Sequence, residues 1–354
     1  MTAARDIDTL LAGLRGALRE ARSPIAEAAL EIMSDKGLAH HHVRLLGTGQ
    51  LARLPKQSQM GLSAQANLDY ETACFERAGP SAHVPRVFGQ LEAGRSLPRG
   101  GLLVEEVIGR PAWLPQDLAG IAQALAAIHS LPLPQRGLRP PLLSPVDPLV
   151  SLRLEIDAQA AFLDDAGLDP AARKLIEGVR DDFRRICAGT ARPVPRLIAF
   201  DAHPGNFLIR ADGTAVLVDL EKARYSYPAL DLAHATLYTS TTWDVDTRAE
   251  LSLAQVVESY LAWESFSDLG SRQRAWYTPL RAAMWLWSVT WCAKWRVLSA
   301  AQARASADGE DWSGEHSSGA LVRHVRDRVD CYLGVPVITR IARELATLDR
   351  AFPT

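Results

Sequence analysis

The 354-residue sequence contains few cysteines, no long apolar run and almost no excess of charge of either sign. Its four cysteines stand singly, without the spacing of a metal cluster or the density of a disulfide framework. No run approaches the ~20 apolar residues of a membrane span, and the charged start lacks the apolar core of a signal peptide. A formal net charge of −2 argues against a nucleic-acid partner. These absences predict a cytoplasmic protein that binds neither membrane nor nucleic acid.

Residues 196–221 contain two apolar runs that each end in an acid. Residues 197–200 precede Asp201, residues 215–218 precede Asp219, and Asn206 follows Asp201 by five positions. Phosphoryl transfer needs a carboxylate that takes a hydroxyl proton and oxygen ligands that hold Mg²⁺ against phosphates. This spacing predicts Asp201 as the base and Asn206 with Asp219 as the Mg²⁺ ligands. Because acids crowded at a metal site repel one another without the ion, Asp219→Asn is expected to leave the melting temperature unchanged or higher.

The segment Asp201-Ala-His-Pro-Gly-Asn206, followed by Val218-Asp-Leu-Glu221, resembles the aminoglycoside phosphotransferase family, which includes choline and ethanolamine kinases. The resemblance implies ATP- and Mg²⁺-dependent transfer of the γ-phosphoryl group to a hydroxyl of a small acceptor molecule that can be cationic and amino-bearing. Ala199 and Phe200 stand where the family has His-Gly. This departure keeps a second hypothesis open, a kinase-like binding or regulatory protein with weak catalysis.

The resemblance also implies an α+β, bilobal, protein-kinase-like fold. Residues 1–105 would form a small N-lobe that contains a leading helix, a nucleotide-covering loop, a β-sheet and a helix with Glu71. Residues 106–354 would form a mostly helical C-lobe with the catalytic loop, the metal site and the acceptor region. Apolar spacing over residues 5–33 predicts a helix with a break at 22–24, and glycines at 47 and 49 predict a hairpin between residues 43 and 55.

Nucleotide binding is assigned to the N-lobe by the same resemblance. Arg53 is the first candidate for gripping the α- and β-phosphates and Lys56 the second, and Glu71 is expected to pair with the gripping residue. The remaining implied contacts are a covering loop over residues 37–42 that begins at Gly37, and hinge backbone at Glu105 and Val107 that faces adenine.

Several polar residues outside these motifs are expected to be structural. His40, His41 and His42 are predicted to be exposed loop residues, because three adjacent side chains do not face one metal ion. His129 is interpreted as a packing residue. Asp231 is interpreted as a cap on the catalytic region.

The acceptor region is predicted after Asp231. Residues 226–280 carry seven acids and three arginines, which indicates either an acidic wall for a cationic acceptor or ordinary solvated helix faces. Trp287, Trp291 and Trp295 recur along one helix stripe, which indicates either core packing or an aromatic box for a quaternary ammonium group. Residues 305–319 are predicted to form a surface loop.

Overall fold

The computed structural model describes residues 2–34, 37–302, 312 and 317–353. Most of the surface loop predicted over 305–319 lies outside the described residues. Within the described residues, no helix combines the length and the apolar character that crossing a bilayer requires.

The N-terminal lobe contains one antiparallel sheet and two helices. Its strands are β1 (Leu30–Ile32), β2 (His40–Leu45), β3 (Gln50–Pro55), β4 (Val87–Leu91) and β5 (Gly101–Glu105). They lie in the order β1-β2-β3-β5-β4. The helices are α1 (Thr2–Glu20) and α2 (Ala64–Ala78). The predicted hairpin is confirmed as β2–β3, and its turn uses Gly47 and Gly49 at φ 77° and 68°, where a side chain would be strained.

Alternation along β2 and β3 separates the two faces of this sheet. One face packs against α1 through a small apolar cluster of Leu14, Leu18, Val43, Leu45, Ala52 and Leu54. The opposite face of the same strands presents His40, His42 and Arg53 to the cleft between the lobes. The N-lobe core therefore positions three basic side chains on the side where the site lies.

The C-terminal lobe is mostly helical. Its helices are α3 (Leu118–His129), α4 (Pro148–Ala160), α5 (Pro170–Ala188), α6 (Pro228–Thr236), α7 (Tyr238–Thr241), α8 (Leu253–Phe266), α9 (Tyr277–Ala300), α10 (Gly319–Tyr332) and α11 (Val335–Ala351). Its strands are β6 (Arg110–Pro111), β7 (Arg196–Ile198), β8 (Phe207–Ile209), β9 (Ala215–Leu217) and β10 (Arg224–Ser226). β7 pairs with β10, and β8 lies between β6 and β9. The predicted α+β fold with a small sheet lobe and a helical lobe is confirmed.

Two local predictions in the N-lobe are wrong. The helical pattern predicted to continue to residue 33 ends at Glu20, Arg22 takes a positive φ of 51°, and residues 30–32 pair with β2 as a strand. His40, His41 and His42 lie in β2 and not in a loop, and His40 is 3% exposed. Burial of this histidine is possible because a carboxylate from α2 meets its ring.

Asp231 in α6 anchors the backbone that leads to Asp201. Its buried carboxylate accepts hydrogen bonds from the N–H groups of Ala199 and Phe200, each at 2.7 Å. His129 Nε2 donates to the same carboxylate at 3.0 Å, because its Nδ1 accepts from Trp263 Nε1. These contacts agree with the structural roles predicted for Asp231 and His129.

We expect Asp231→Ala to lower the free energy of unfolding by about 3 kcal/mol or more, because it leaves two buried N–H groups and a buried imidazole without their acceptor. Urea unfolding monitored by circular dichroism measures the change. The control is Asp268→Ala, which removes an exposed ion pair with Arg196 and should cost at most about 1 kcal/mol. Equal, small effects of both variants would contradict the anchoring role.

Candidate active site

The catalytic loop begins with a strained residue. Phe200, directly before Asp201, has a φ of 64°, a left-handed conformation that costs a non-glycine residue roughly 1–2 kcal/mol. The Phe200 ring is buried and packs on two sides. The Arg224 guanidinium lies 3.7 Å from the ring centroid, and the Trp287 ring meets it edge-on at 5.1 Å. This packing and the two hydrogen bonds to Asp231 hold the loop where the family pattern uses His-Gly.

Asp201 faces two basic side chains in the cleft. Lys222 Nζ donates to Asp201 Oδ2 at 2.7 Å, and His234 Nδ1 lies 3.6 Å from Oδ1. Burial alone would raise the pKa of Asp201, but Lys222, His234 and His203 outweigh it and hold the pKa well below its usual range. Burial lowers the pKa of His234 to about 4, so its imidazole is neutral at pH 7. Asp201 is therefore an ionised carboxylate that can accept a hydrogen bond from a hydroxyl group.

Asn206 and Asp219 lie at adjoining ends of β8 and β9. The Val218 N–H donates to the Asn206 carbonyl at 2.9 Å, which brings the two side chains to one edge. Asn206 Nδ2 donates to the Asp201 carbonyl at 2.9 Å, which leaves the Oδ1 atom as the ligand of this side chain. One amide oxygen and one carboxylate are the hard oxygen donors that Mg²⁺ prefers. These residues therefore fit the predicted metal ligands.

Arg53 bridges the two lobes at this edge. Its Nη2 donates to Asp219 Oδ1 at 2.7 Å and its Nη1 to the Val218 carbonyl at 3.0 Å. Burial would raise the pKa of Asp219, but Arg53 and His40 outweigh it and lower the pKa below its usual value. Arg53 therefore compensates Asp219, which argues against the expected gain in stability from Asp219→Asn, although the Asp219 charge still raises the pKa of Glu221.

Lys56, the second candidate for the phosphate grip, lies elsewhere. Its Nζ donates to the Gly37 carbonyl at 2.8 Å, and the neighbouring Gln57 side chain donates to the Leu38 carbonyl at 2.9 Å. The end of β3 is thus tied to the loop in which Gly37 is predicted to cover the nucleotide. Arg53 and not Lys56 contacts the predicted metal ligand.

Glu71 lies near Arg53 but bonds to a different base. His40 Nε2 lies 2.9 Å from both Glu71 oxygens, and Asn67 Nδ2 donates to Oε1 at 2.7 Å. Burial works against the charged form of each partner, but their mutual attraction dominates, so the pKa of His40 is raised and that of Glu71 lowered. The predicted direct pair of Glu71 with Arg53 is therefore wrong. His40 occupies the carboxylate that this pair would use.

The two predicted hinge residues, Glu105 and Val107, differ in their backbone hydrogen bonds. The Glu105 N–H donates to the Arg86 carbonyl at 2.8 Å, and the Glu105 side chain pairs with Arg210. The Glu105 N–H is thus used within the sheet, so of the Glu105 backbone only its carbonyl remains for the predicted adenine contact. Val107 follows the strand, and among the described residues its backbone has no hydrogen-bond partner. Val107 therefore stays a predicted backbone contact for adenine.

The walls beyond Asp201 contain fewer unpaired acids than the sequence suggests. Three acids of the 226–280 segment are neutralised by arginines, in the pairs Glu250–Arg340, Glu264–Arg274 and Asp268–Arg196. Asp231 is committed to the catalytic loop. Asp244 lies against that loop, since a Cβ added at Gly205 would be 2.7 Å from the Asp244 Cβ. Four of the seven acids are thus engaged within the protein, and the acidic wall stays a prediction for the other three, Asp244, Asp246 and Glu258.

The tryptophan stripe is partly core and partly exposed, and its role as an aromatic box stays a prediction. Trp295 is buried in the core, whereas Trp287 and Trp291 are only partly buried. The Lys222 ammonium lies 5.7 Å from the centroid of a Trp287 ring. Because Lys222 also donates to Asp201, this contact brings Trp287 near Asp201. Trp291 meets Trp243 edge-on at 6.0 Å. The stripe therefore runs from the core to the edge of the site.

Sequence reasoning missed Lys222 and His40. Lys222 stands three positions after Asp219. A cation this close to the predicted metal ligand could have indicated a partner for Asp201. His40 meets Glu71 across 31 positions, and no local pattern records that approach.

Fold and site together define a kinase-like phosphotransferase architecture. The chain belongs to the phosphotransferase enzyme family, whose model matches residues 51–277, so the predicted membership is confirmed and the protein is a small-molecule kinase. No curated protein matches it in sequence.

Solved structures share the fold at low sequence identity. A choline/ethanolamine kinase family protein from Mesorhizobium loti has a TM-score of 0.54 at 16% identity, with 94% of this chain and 99% of that chain covered. Plasmodium vivax ethanolamine kinase has a TM-score of 0.58 at 13% identity, with 91% and 87% covered. Spectinomycin phosphotransferase, solved with ADP and spectinomycin, has a TM-score of 0.57 at 10% identity, with 90% and 93% covered.

We expect Asp219→Asn to lower the unfolding free energy at pH 7 by about 1–3 kcal/mol, since it removes the ionised partner of buried Arg53. Because the folded-state pKa of Asp219 is depressed, its stabilisation is present above the unfolded pKa of ~4 and is lost as pH falls further. Denaturant melts at pH 7 and pH 3 measure both values. The matched control is Asp212→Asn in an exposed turn. A more stable Asp219→Asn variant would restore the repulsion hypothesis.

The contribution of Glu221 to stability depends on pH in the opposite direction to that of Asp219. Burial, followed by the charge of Asp219, raises the pKa of Glu221 to about 7. The unfolded chain loses this proton near pH ~4.5 while the folded protein keeps it, so wild-type stability falls as pH rises from there to about 7.

Glu221→Gln should therefore be more stable than the wild type at pH 8, and the difference should vanish at pH 4. Paired urea melts at the two pH values check the sign. A pH-independent difference would show that Glu221 is ionised throughout.

Proposed function

We propose that this protein transfers the γ-phosphoryl group of ATP, with Mg²⁺, to a hydroxyl group of a small molecule. The observation that carries the proposal is the convergence of three side chains from one short segment. Asp201, Asn206 and Asp219 lie at the ends of β7, β8 and β9, and hydrogen bonds link Asn206 to both neighbouring segments. These are the base and the two oxygen ligands that phosphoryl transfer requires.

In the proposed reaction Asp201 orients the acceptor hydroxyl. The hydroxyl oxygen forms a bond to the γ-phosphorus, the bond between that phosphorus and the β–γ bridging oxygen breaks, and the hydroxyl proton passes to Asp201. Lys222 holds the other carboxylate oxygen at 2.7 Å. A carboxylate with a lowered pKa suits this role, because a loose transition state leaves the proton on the hydroxyl until late.

The residues present fit a magnesium ion and a nucleotide. Asn206 Oδ1 and the Asp219 carboxylate would hold the ion, which neutralises negative charge on the phosphates when bound. A cation on Asp219 competes with Arg53, so the guanidinium would turn from Asp219 to the phosphates. Val107 would offer backbone groups to adenine.

The acceptor is proposed to lie between Asp201 and the partly buried tryptophans of α9. Trp287 lies on the side of Lys222, whose ammonium is 5.7 Å from the ring centroid and donates to Asp201. A cationic acceptor would rely on these rings and on Asp244, which lies against the loop that carries Asp201. The first compounds to screen are ethanolamine and spectinomycin, after which two of the solved enzymes above are named.

The binding-protein alternative is motivated by Ala199 and Phe200, by Arg53 in place of a lysine and by the few glycines of the covering loop, and the structure bears on the first of these. Ala199 and Phe200 both use their N–H groups to bind Asp231. The Phe200 ring packs against Arg224 on one face and against Trp287 edge-on. The catalytic loop is thus anchored without the family's His-Gly, which favours the enzyme.

Asp201→Asn tests the proposal. The variant keeps the shape and one acceptor oxygen but loses the charge, so kcat should fall by roughly 10²–10⁴ while ATP affinity changes little. Turnover is followed by coupled ADP release with the acceptor found in the screen, and affinity by MgATP-dependent melting.

The control is Asp212→Asn, which should behave as the wild type. Near-wild-type turnover of Asp201→Asn would limit Asp201 to capping its turn. Absence of any MgATP stabilisation in the wild type would instead favour the binding protein.

A further inference from the structure

The buried cluster around Glu71 differs from a simple acid–base pair. Glu71 is 1% exposed, and its two oxygens are both within 2.9 Å of His40 Nε2. Because a carboxylate only accepts hydrogen bonds, Nε2 must carry the hydrogen in either protonation state of the ring. Asn67 supplies a further donor to Oε1. Both oxygens of this carboxylate therefore already have a donor other than Arg53.

Arg53 lies directly beyond His40 on the same face of the sheet. His40 Nδ1 is 3.5 Å from Arg53 Nη2, and His42 Nε2 is 3.4 Å from Arg53 Nη1. The guanidinium thus sits between two imidazoles that alternate along β2. Its remaining hydrogen-bond partners are on the C-lobe, at Asp219 and Val218.

Three acids, Asp219, Glu71 and Glu221, attract the guanidinium in this position, and it donates to Asp219. All three lower the energy of its charged form. His40 donates to the Glu71 oxygens that Arg53 would otherwise bind. Arg53 donates instead to Asp219. An arginine directed at Asp219 already points toward the position of the metal and the phosphates.

We propose that His40 is a positioning residue: it occupies Glu71 and thereby keeps Arg53 directed at the phosphate side of the cleft. The effect of His40 on phosphate binding rests on the proposed function, whereas its effect on the orientation of Arg53 does not. Without the imidazole, Arg53 turns back to Glu71 and is withdrawn from the nucleotide.

The first test is the affinity for MgATP, measured by calorimetry. His40→Ala should weaken it by roughly tenfold, the scale of one charge-assisted contact. His40→Gln, which keeps a donor for Glu71, should lose much less. Adding Glu71→Gln to His40→Ala removes the competing acid and should restore affinity to within about threefold of the wild type. A structural role alone would make the double variant weaker than the single one.

The matched control is His41→Ala, the neighbour that β2 directs to the opposite face. If His40→Ala does not fold, His40→Leu, which is closer in volume, takes its place. The proposal is overturned if the single variant binds MgATP as the wild type does, or if the double variant is as weak as the single one.

A second measurement does not depend on phosphotransfer. The crystal structure of His40→Ala grown without nucleotide should show the Arg53 guanidinium on Glu71. Arg53 remaining on Asp219 would overturn the proposal even in a protein that binds ATP. If the wild type binds no MgATP, the proposed function fails, and this structure still decides the role of His40.

Discussion

The ion pair between Arg53 and Asp219 is the contact on which the candidate site depends. Arg53 belongs to the N-lobe sheet and is 3% exposed, whereas Asp219 follows a C-lobe strand. An unpaired charge at that depth would cost several kcal/mol, so the guanidinium must find an acid. The acid it finds is the predicted metal ligand. One electrostatic requirement therefore joins the lobes and places a cation beside the position at which phosphates would bind.

The other acids of the cleft are held by different donors, and this division gives the site a unique arrangement. Asp231 receives two backbone N–H groups, Asp201 receives Lys222, and Glu71 receives His40. Because Asp231, Asp201 and Glu71 use different donors, exchanging these donors would leave a buried group unsatisfied. The strain at Phe200 persists under the same constraint, since the hydrogen bonds from residues 199 and 200 fix the backbone before the base.

The sequence predicted the parts of the site that one segment builds. Asp201, Asn206 and Asp219 are set by two short strands and a turn, so their spacing carries the geometry. Partners that arrive from distant segments left no such record. His40 reaches Glu71 of helix α2 from strand β2, and two acids of the 226–280 segment pair with Arg340 and Arg196, which lie outside it. Strand β1 was missed because three residues are too short for a reliable period.

The affinities of Arg53→Met for metal and for nucleotide test this account most directly. Binding of Mn²⁺ alone and of MgATP is measured by calorimetry for the wild type, Arg53→Met and the control Lys56→Met. The account predicts that Arg53→Met binds Mn²⁺ alone more tightly, because Asp219 loses its competing cation. It should bind MgATP more weakly by roughly tenfold, because the phosphates lose a charged donor. Affinities that move in the same direction, or that match the wild type, would contradict it.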